Sequence, residues 1–159
     1  MRGEEGAEAA DAAGAEELRL NGGERQAGGV VQEVAVGVQE GVGGTVAVDD
    51  GDLPAVLDFF TESGSFERAG QVVSGREALG SFFGAMIERY SLTRHVVEMQ
   101  TLDPLVSENS ATGVVHGNAE LVLGDTLYRV AYRYDDRYER GSGKWRFASR
   151  KLRFIYYLP

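Results

Sequence analysis

A chain with no Cys and two His must draw its reactive groups from carboxylates, imidazoles, guanidiniums and phenols. The missing Cys removes thiol nucleophiles, disulfides and Cys-based zinc sites. Two His argue against a zinc or copper site built mainly from imidazoles. Asp49, Asp50 and Asp52 crowd just ahead of Leu53-Pro54, and His95 stands in the apolar-alternating run Arg94–Leu102. A carboxylate and an imidazole are the groups that general acid–base chemistry uses, provided the fold brings them together. Each also has a plain structural reading. Acids ahead of a helix cap it and favour its dipole. A single His on an apolar strand face is commonly a satisfied structural residue. Asp136 could be a second pocket carboxylate, but a salt bridge with a nearby Arg at the strand end is the simpler expectation. The stripe Tyr128, Tyr132 and Tyr134 reads as core rather than as a substrate platform. The residues alone carry the reading only to an α+β domain with room for a pocket.

The elements that would position these groups follow from periodicity. Asp52 is placed to N-cap a helix with Leu53 and Pro54 in its first turn and Leu53, Val56, Leu57 and Phe60 as its apolar stripe. Gly64 is expected as its stop. Ser65–Val73 fits a short strand or hairpin. Ser74-Gly75-Arg76-Glu77 reads as a capping box opening a helix that buries Leu79, Phe82, Phe83, Met86, Ile87 and Tyr90. After Tyr90 the period falls to two. Arg94–Leu102 is a strand with His95, Val97 and Met99 on one face. Ala111–Leu123 is the next, and its parity groups His116 with Asn118 and Glu120. A one-residue bulge would be needed to turn His116 inward. Leu127–Arg140 places Tyr128, Val130, Tyr132, Tyr134, Asp136 and Tyr138 on one face. Gly141-Ser142-Gly143 is a hairpin turn leading to Lys144–Leu158. There Trp145 and Phe147 oppose Arg150, Leu152, Phe154 and Tyr156 unless a bulge intervenes. Large groups on both faces predict helices on one and a second subunit on the other. Helices followed by a run of long strands give an α+β layout, helices on a curved antiparallel sheet.

The charge is unevenly spread. The 159 residues carry 16 basic and 25 acidic side chains, a net −9. Residues 1–44 hold 11 of the 22 Gly, none of the 15 aromatic residues and −6 of that charge. Segment 1–28 has almost no large apolar side chain and is expected to be a disordered tail. In 30–48 Val recurs every fourth residue among glycines, a poor helix. The domain is expected over 29–159. Net acidity argues against nucleic-acid partners and anionic membranes. No apolar run is long enough to span a bilayer, and the first residues do not read as a secretory signal. The expectation is a soluble cytoplasmic protein.

Four stretches resemble the SnoaL-like branch of the NTF2-like superfamily. They are Ala47-Val48-Asp49-Asp50-Gly51-Asp52-Leu53 running into Leu57-Asp58-Phe59-Phe60-Thr61; Phe66-Glu67 with Gly75-Arg76-Glu77; Thr93-Arg94-His95; and Tyr134 to Arg140 with Gly143 to Phe147 and Arg150. Their order and spacing together carry the resemblance, over residues 46–157. It implies a cone of helices on a curved sheet enclosing a deep, mostly apolar pocket. It further implies an Asp–His pair in that pocket, matched here by Asp49 and His95, and a pocket Arg, matched by Arg150. Phe60, Phe83, Met99, Tyr134 and His116 are the expected ligand contacts. Several dehydratases of this branch carry a Tyr five residues before the Asp, where this chain has Gly44.

The resemblance implies a cofactor-free lyase or isomerase, dehydratase-like, acting on a small apolar cyclic molecule of polyketide, steroid or terpenoid type. His95 would take the proton, Asp49 would stabilise the imidazolium, and Arg150 or Tyr134 would hold the departing group. No metal or organic cofactor is required, and a homodimer or homotrimer is expected. Two other readings stand beside it, because fold does not fix function. One is a non-catalytic ligand-binding domain. The other is a partner resembling the small β-subunit of ring-hydroxylating dioxygenases.

Overall fold

A computed structural model describes residues 43–103 and 107–159. The tail expected over 1–28, and the Val/Gly stretch up to residue 42, lie outside the described residues. Residues 43–49 are helical (α1). Helix α2 spans Leu53–Asp58 and α3 spans Arg76–Arg89. The strands are β1 Phe60–Arg68, β2 Gln71–Ser74, β3 Leu92–Leu102, β4 Ser110–Leu123, β5 Thr126–Gly141 and β6 Lys144–Leu158. They form one sheet in the order β2-β1-β6-β5-β4-β3. Every neighbouring pair is antiparallel except β1 and β6, which run parallel. The expected α+β layout holds, with that one parallel pair making the sheet mixed.

The alternation along the long strands decides which face packs. On β4 the odd positions Ala111, Val115, Ala119 and Leu121 are buried. On β5 the even positions Val130, Tyr132, Tyr134, Asp136 and Tyr138 are buried opposite them. Onto this concave face α2 sends Val56, and α3 sends Leu79 and Phe83. Rings of Phe60, Phe66, Phe82 and Phe83 interlock there, with centroids 5.2–5.7 Å apart.

Two expected boundaries are corrected. Asp52 does cap α2, its Oδ1 accepting the Ala55 N–H at 3.0 Å. The helix then ends at Asp58 rather than Gly64, because the Phe59 carbonyl accepts the Phe147 N–H at 2.7 Å and hands the chain to the sheet. Phe60 therefore opens β1, and Gly64 lies inside that strand. A Cβ there would sit 2.9 Å from the Thr61 carbonyl and 3.0 Å from that of Phe147. Its glycine serves a close backbone approach, not a helix stop. At α3 the capping box does not form. Ser74 is held in β2 opposite Ser65, and the N-cap is Gly75 with φ of 83° and no side-chain cap bond.

The strands are also bent by bulges, which period-two reading cannot see. The β5–β6 register slips between Arg137 and Tyr138, where Ser149 and Phe147 are the partners, so Ala148 is the extra residue. Trp145 and Phe147 consequently share the concave face with Arg150 and Leu152 instead of opposing them. A second slip, at Ala131/Tyr132, leaves Ile155 as the extra residue. On β3 the slip falls between Val97 and Met99. The β5–β6 turn is tight, with φ of 53° at Ser142 and 77° at Gly143, as a type I′ hairpin requires.

Candidate active site

The helices and concave sheet enclose a cavity of about 280 Å³, close to the lower end of the roughly 300–1,000 Å³ of small-molecule sites. Its wall is mostly apolar and built around a phenylalanine cluster, with Asp49, Asp50, His95, Arg68 and Arg150 among its charged or titratable contributors.

Asp49 is the last residue of α1. A carboxylate at that end faces the negative pole of the helix dipole, so it does not stabilise α1. It does not cap α2 either, since Asp52 does. The plain capping reading of Asp49 therefore falls. Its carboxylate instead reaches β3, where Oδ1 meets His95 Nδ1 at 2.6 Å and accepts the Thr93 hydroxyl at 2.8 Å. Oδ2 accepts the His95 backbone N–H at 2.7 Å. Burial pushes the Asp49 carboxyl up, but the bonds from the His95 ring and backbone, its charge and the Thr93 hydroxyl together hold it below the usual carboxylate value.

A carboxylate at Nδ1 fixes a proton there in the neutral ring and leaves Nε2 with its lone pair. The His95 side chain is only 14% exposed. Its ring meets that of Tyr132 edge-on, with centroids 5.9 Å apart. Tyr132 itself is 2% exposed, and its hydroxyl is buried with no hydrogen-bond partner among the described residues. Gly117 on β4 makes room for it, because a Cβ at that position would lie 2.5 Å from Tyr132 Oη. Burial keeps this phenol well above its ordinary value, so it stays protonated.

Arg150 lines the cavity, but its charge is balanced. Nε and Nη2 donate to the two oxygens of Asp136 at 2.8 and 2.7 Å, and both side chains are buried. The Tyr138 hydroxyl donates to the same carboxylate at 2.9 Å. The guanidinium is sandwiched, its Cζ 4.1 Å from the Tyr134 centroid and 3.8 Å from that of Phe147. The salt-bridge expectation for Asp136 holds, and its partner is Arg150.

Phe60, Phe83 and Tyr134 line the cavity as expected. Met99 and His116 do not. The bulge at Glu98 turns Met99 outward, where it is 51% exposed. No bulge interrupts β4 against β5, so His116 stays with Asn118 and Glu120 off the concave face, beside Met99 and Arg133. The residues that sequence reading missed are Thr93, Tyr132 as a wall residue, and Arg68. Thr93 was legible in principle, two positions before His95 on the same strand face. Position 44 also lines the cavity, and a Cβ there would meet the Phe59 ring at 3.4 Å.

The model of the SnoaL-like domain matches residues 43–151. The chain belongs to the SnoaL-like family. Among solved structures, this SnoaL-like domain is similar to a proposed scytalone dehydratase from Novosphingobium aromaticivorans, at 18% identity and TM-score 0.73 over 81% of this chain and 87% of that one. It is similar to a type-3 hexachlorocyclohexane dehydrochlorinase from Novosphingobium barchaimii, at 18% identity and TM-score 0.73 over 82% and 92%. It is also similar to a protein of unknown function from Mycobacterium tuberculosis, at 26% identity and TM-score 0.68 over 76% and 70%. No curated protein matches the chain. The family and these neighbours fix an α+β cone of NTF2-like type. Among the described residues, no helix is long and apolar enough to cross a membrane.

Proposed function

We propose that this SnoaL-like domain is a cofactor-free lyase or isomerase of dehydratase type, with His95 as its base. The observation that carries the reading is the 2.6 Å contact between Asp49 and His95 Nδ1 inside an aromatic cavity. The neutral ring takes a proton at Nε2 from a carbon next to a carbonyl. The electron pair of that C–H bond passes into an enolate and then forms the C=C bond as hydroxide leaves the β-carbon. Asp49 stabilises the imidazolium that results. The leaving oxygen needs a proton to depart as water, and the His95 imidazolium, which holds the proton just taken, is the group that can return it. Arg150, committed to Asp136, shapes the wall. The aromatic lining supports a small apolar cyclic substrate of polyketide, steroid or terpenoid type, and family habit supports a homodimer or homotrimer.

The test is a screen of cyclic β-hydroxy ketones, followed by the absorbance of the conjugated product. His95→Ala should cut kcat by about 10²–10⁴-fold, the usual contribution of a general base. Unchanged turnover in that variant would refute the mechanism. The second reading, a non-catalytic binder, is favoured by Gly44 where several dehydratases of the branch carry Tyr, and by the neutralised Arg150. It predicts ligand binding with no turnover in the wild type.

A further inference from the structure

Arg68 is the last residue of β1 and follows Phe66 on the concave face. It lines the cavity. Its Nη1 donates to the Met86 thioether at 3.3 Å, and its Cζ lies 5.1 Å from the Phe154 ring centroid. No carboxylate among the described residues pairs with it. Arg150, the other cavity arginine, gives two donors to Asp136. Neighbouring Glu67 is taken by Lys151 at 2.7 Å. A guanidinium offers five N–H donors, and a thioether is a weak acceptor, so most of that capacity is unspent. A cation laid against sulfur and an aromatic ring, with no counter-charge, is a group waiting for an anion.

Its position gives the anion a direction. Arg68 on β1 and His95 on β3 are four strand steps apart in the sheet order, roughly 19 Å along the sheet. Both line one cavity, Arg68 against Met86 and Phe154 and His95 against Tyr132. The Asp49 carboxylate occupies the His95 end and repels a second negative charge there. The Arg68 end attracts one.

We propose that Arg68 is the recognition group for a carboxylate-type anion carried by the ligand, at the end away from the group that reacts. Which end reacts rests on the function proposed above, whereas the anion preference is a binding property and stands apart from it. A planar fork on a planar carboxylate gives two parallel hydrogen bonds and so fixes orientation as well as charge.

The experiment is calorimetric titration of the full chain at neutral pH with naphthoate and with naphthamide, flat probes of one shape that differ in charge. Wild type should bind naphthoate about 10–100-fold more tightly, the size expected of a charge-assisted pair. Arg68→Met should lose that preference and retain its affinity for naphthamide. Arg68→Lys, with the charge but not the fork, should keep part of it. Arg68→Gln is the second charge-removing variant if Arg68→Met fails to fold. His95→Ala should keep the full preference, so failure of the catalytic reading leaves this readout intact. Equal binding of the two probes by wild type, no binding of naphthoate, or a preference that survives removal of the Arg68 charge would each overturn the proposal.

Discussion

Asp49 and His95 are 46 positions apart in the chain, and the two hydrogen bonds between them do different work. The bond to the His95 backbone N–H fixes the carboxylate against β3, and the bond to the ring sets the tautomer. Asp49→Asn keeps the shape but replaces an acceptor with an amide that can present an N–H to Nδ1. Turnover should fall by about 10²–10⁴-fold, while far-ultraviolet dichroism stays native. The same variant has a pH signature. The Asp49 carboxyl sits below its ordinary 3.8 in the folded chain, so the stability it adds is fully present above that value and is lost as pH falls through the lower folded one. Urea midpoints of wild type and Asp49→Asn should therefore differ at neutral pH and converge in acid. Tyr132→Phe separates structure from chemistry at the neighbouring residue. Removing a buried hydroxyl with no partner among the described residues should leave stability equal or raise it by up to about 1–3 kcal/mol. Turnover should stay close to that of the wild type, because that hydroxyl is buried against Gly117 and shut off from a ligand. Asp49 and His95 were legible because their motifs are local. Arg68 was not, since its distinguishing property is the absence of a carboxylate partner among the described residues, a three-dimensional fact.

The elements show where pattern reading stops. Alternation on β4 and β5 placed the buried rows correctly, because those two strands pair without a slip from Ser110 to Leu123. It failed on β6 and β3 for one shared reason. Ala148, Ile155 and Glu98 are extra residues in their ladders, and each flips the parity of the residues after it. Arg150 joins Phe147 for this reason, and Met99 leaves His95. The helix boundaries failed differently: Gly64 and Ser74 are turn-type residues whose roles are fixed by strand partners that local sequence does not announce. Two substitutions test these elements. Gly117→Ala puts a methyl where Tyr132 Oη lies, and should cost about 1–3 kcal/mol in urea denaturation through overpacking. Asp136→Ala strands the buried Arg150 charge and should cost about 3–5 kcal/mol. Replacing both partners with apolar residues, as in Asp136→Leu with Arg150→Met, should recover much of that loss, because the desolvation of two charges disappears along with their attraction.

At the scale of the molecule, the sheet is a wall whose curvature makes the cavity. Bulges bend the strands, α2 and α3 close the concave side, and α1 delivers Asp49 to the strand that carries His95. The net −9 of the chain has little bearing on this cavity, since −6 of it falls in residues 1–44. The cavity is organised by a few charges: Asp49 held by His95, Arg150 balanced by Asp136, and Arg68 without a carboxylate among the described residues. The most direct test of the central claim, that His95 is a working base in an apolar cavity, needs no natural substrate. It is the rate of ring opening of nitrobenzisoxazole, a reaction that requires only proton abstraction from carbon. Wild type should accelerate it above free imidazole at equal concentration, and His95→Ala should fall to the background rate. An equal rate in both proteins would contradict the claim.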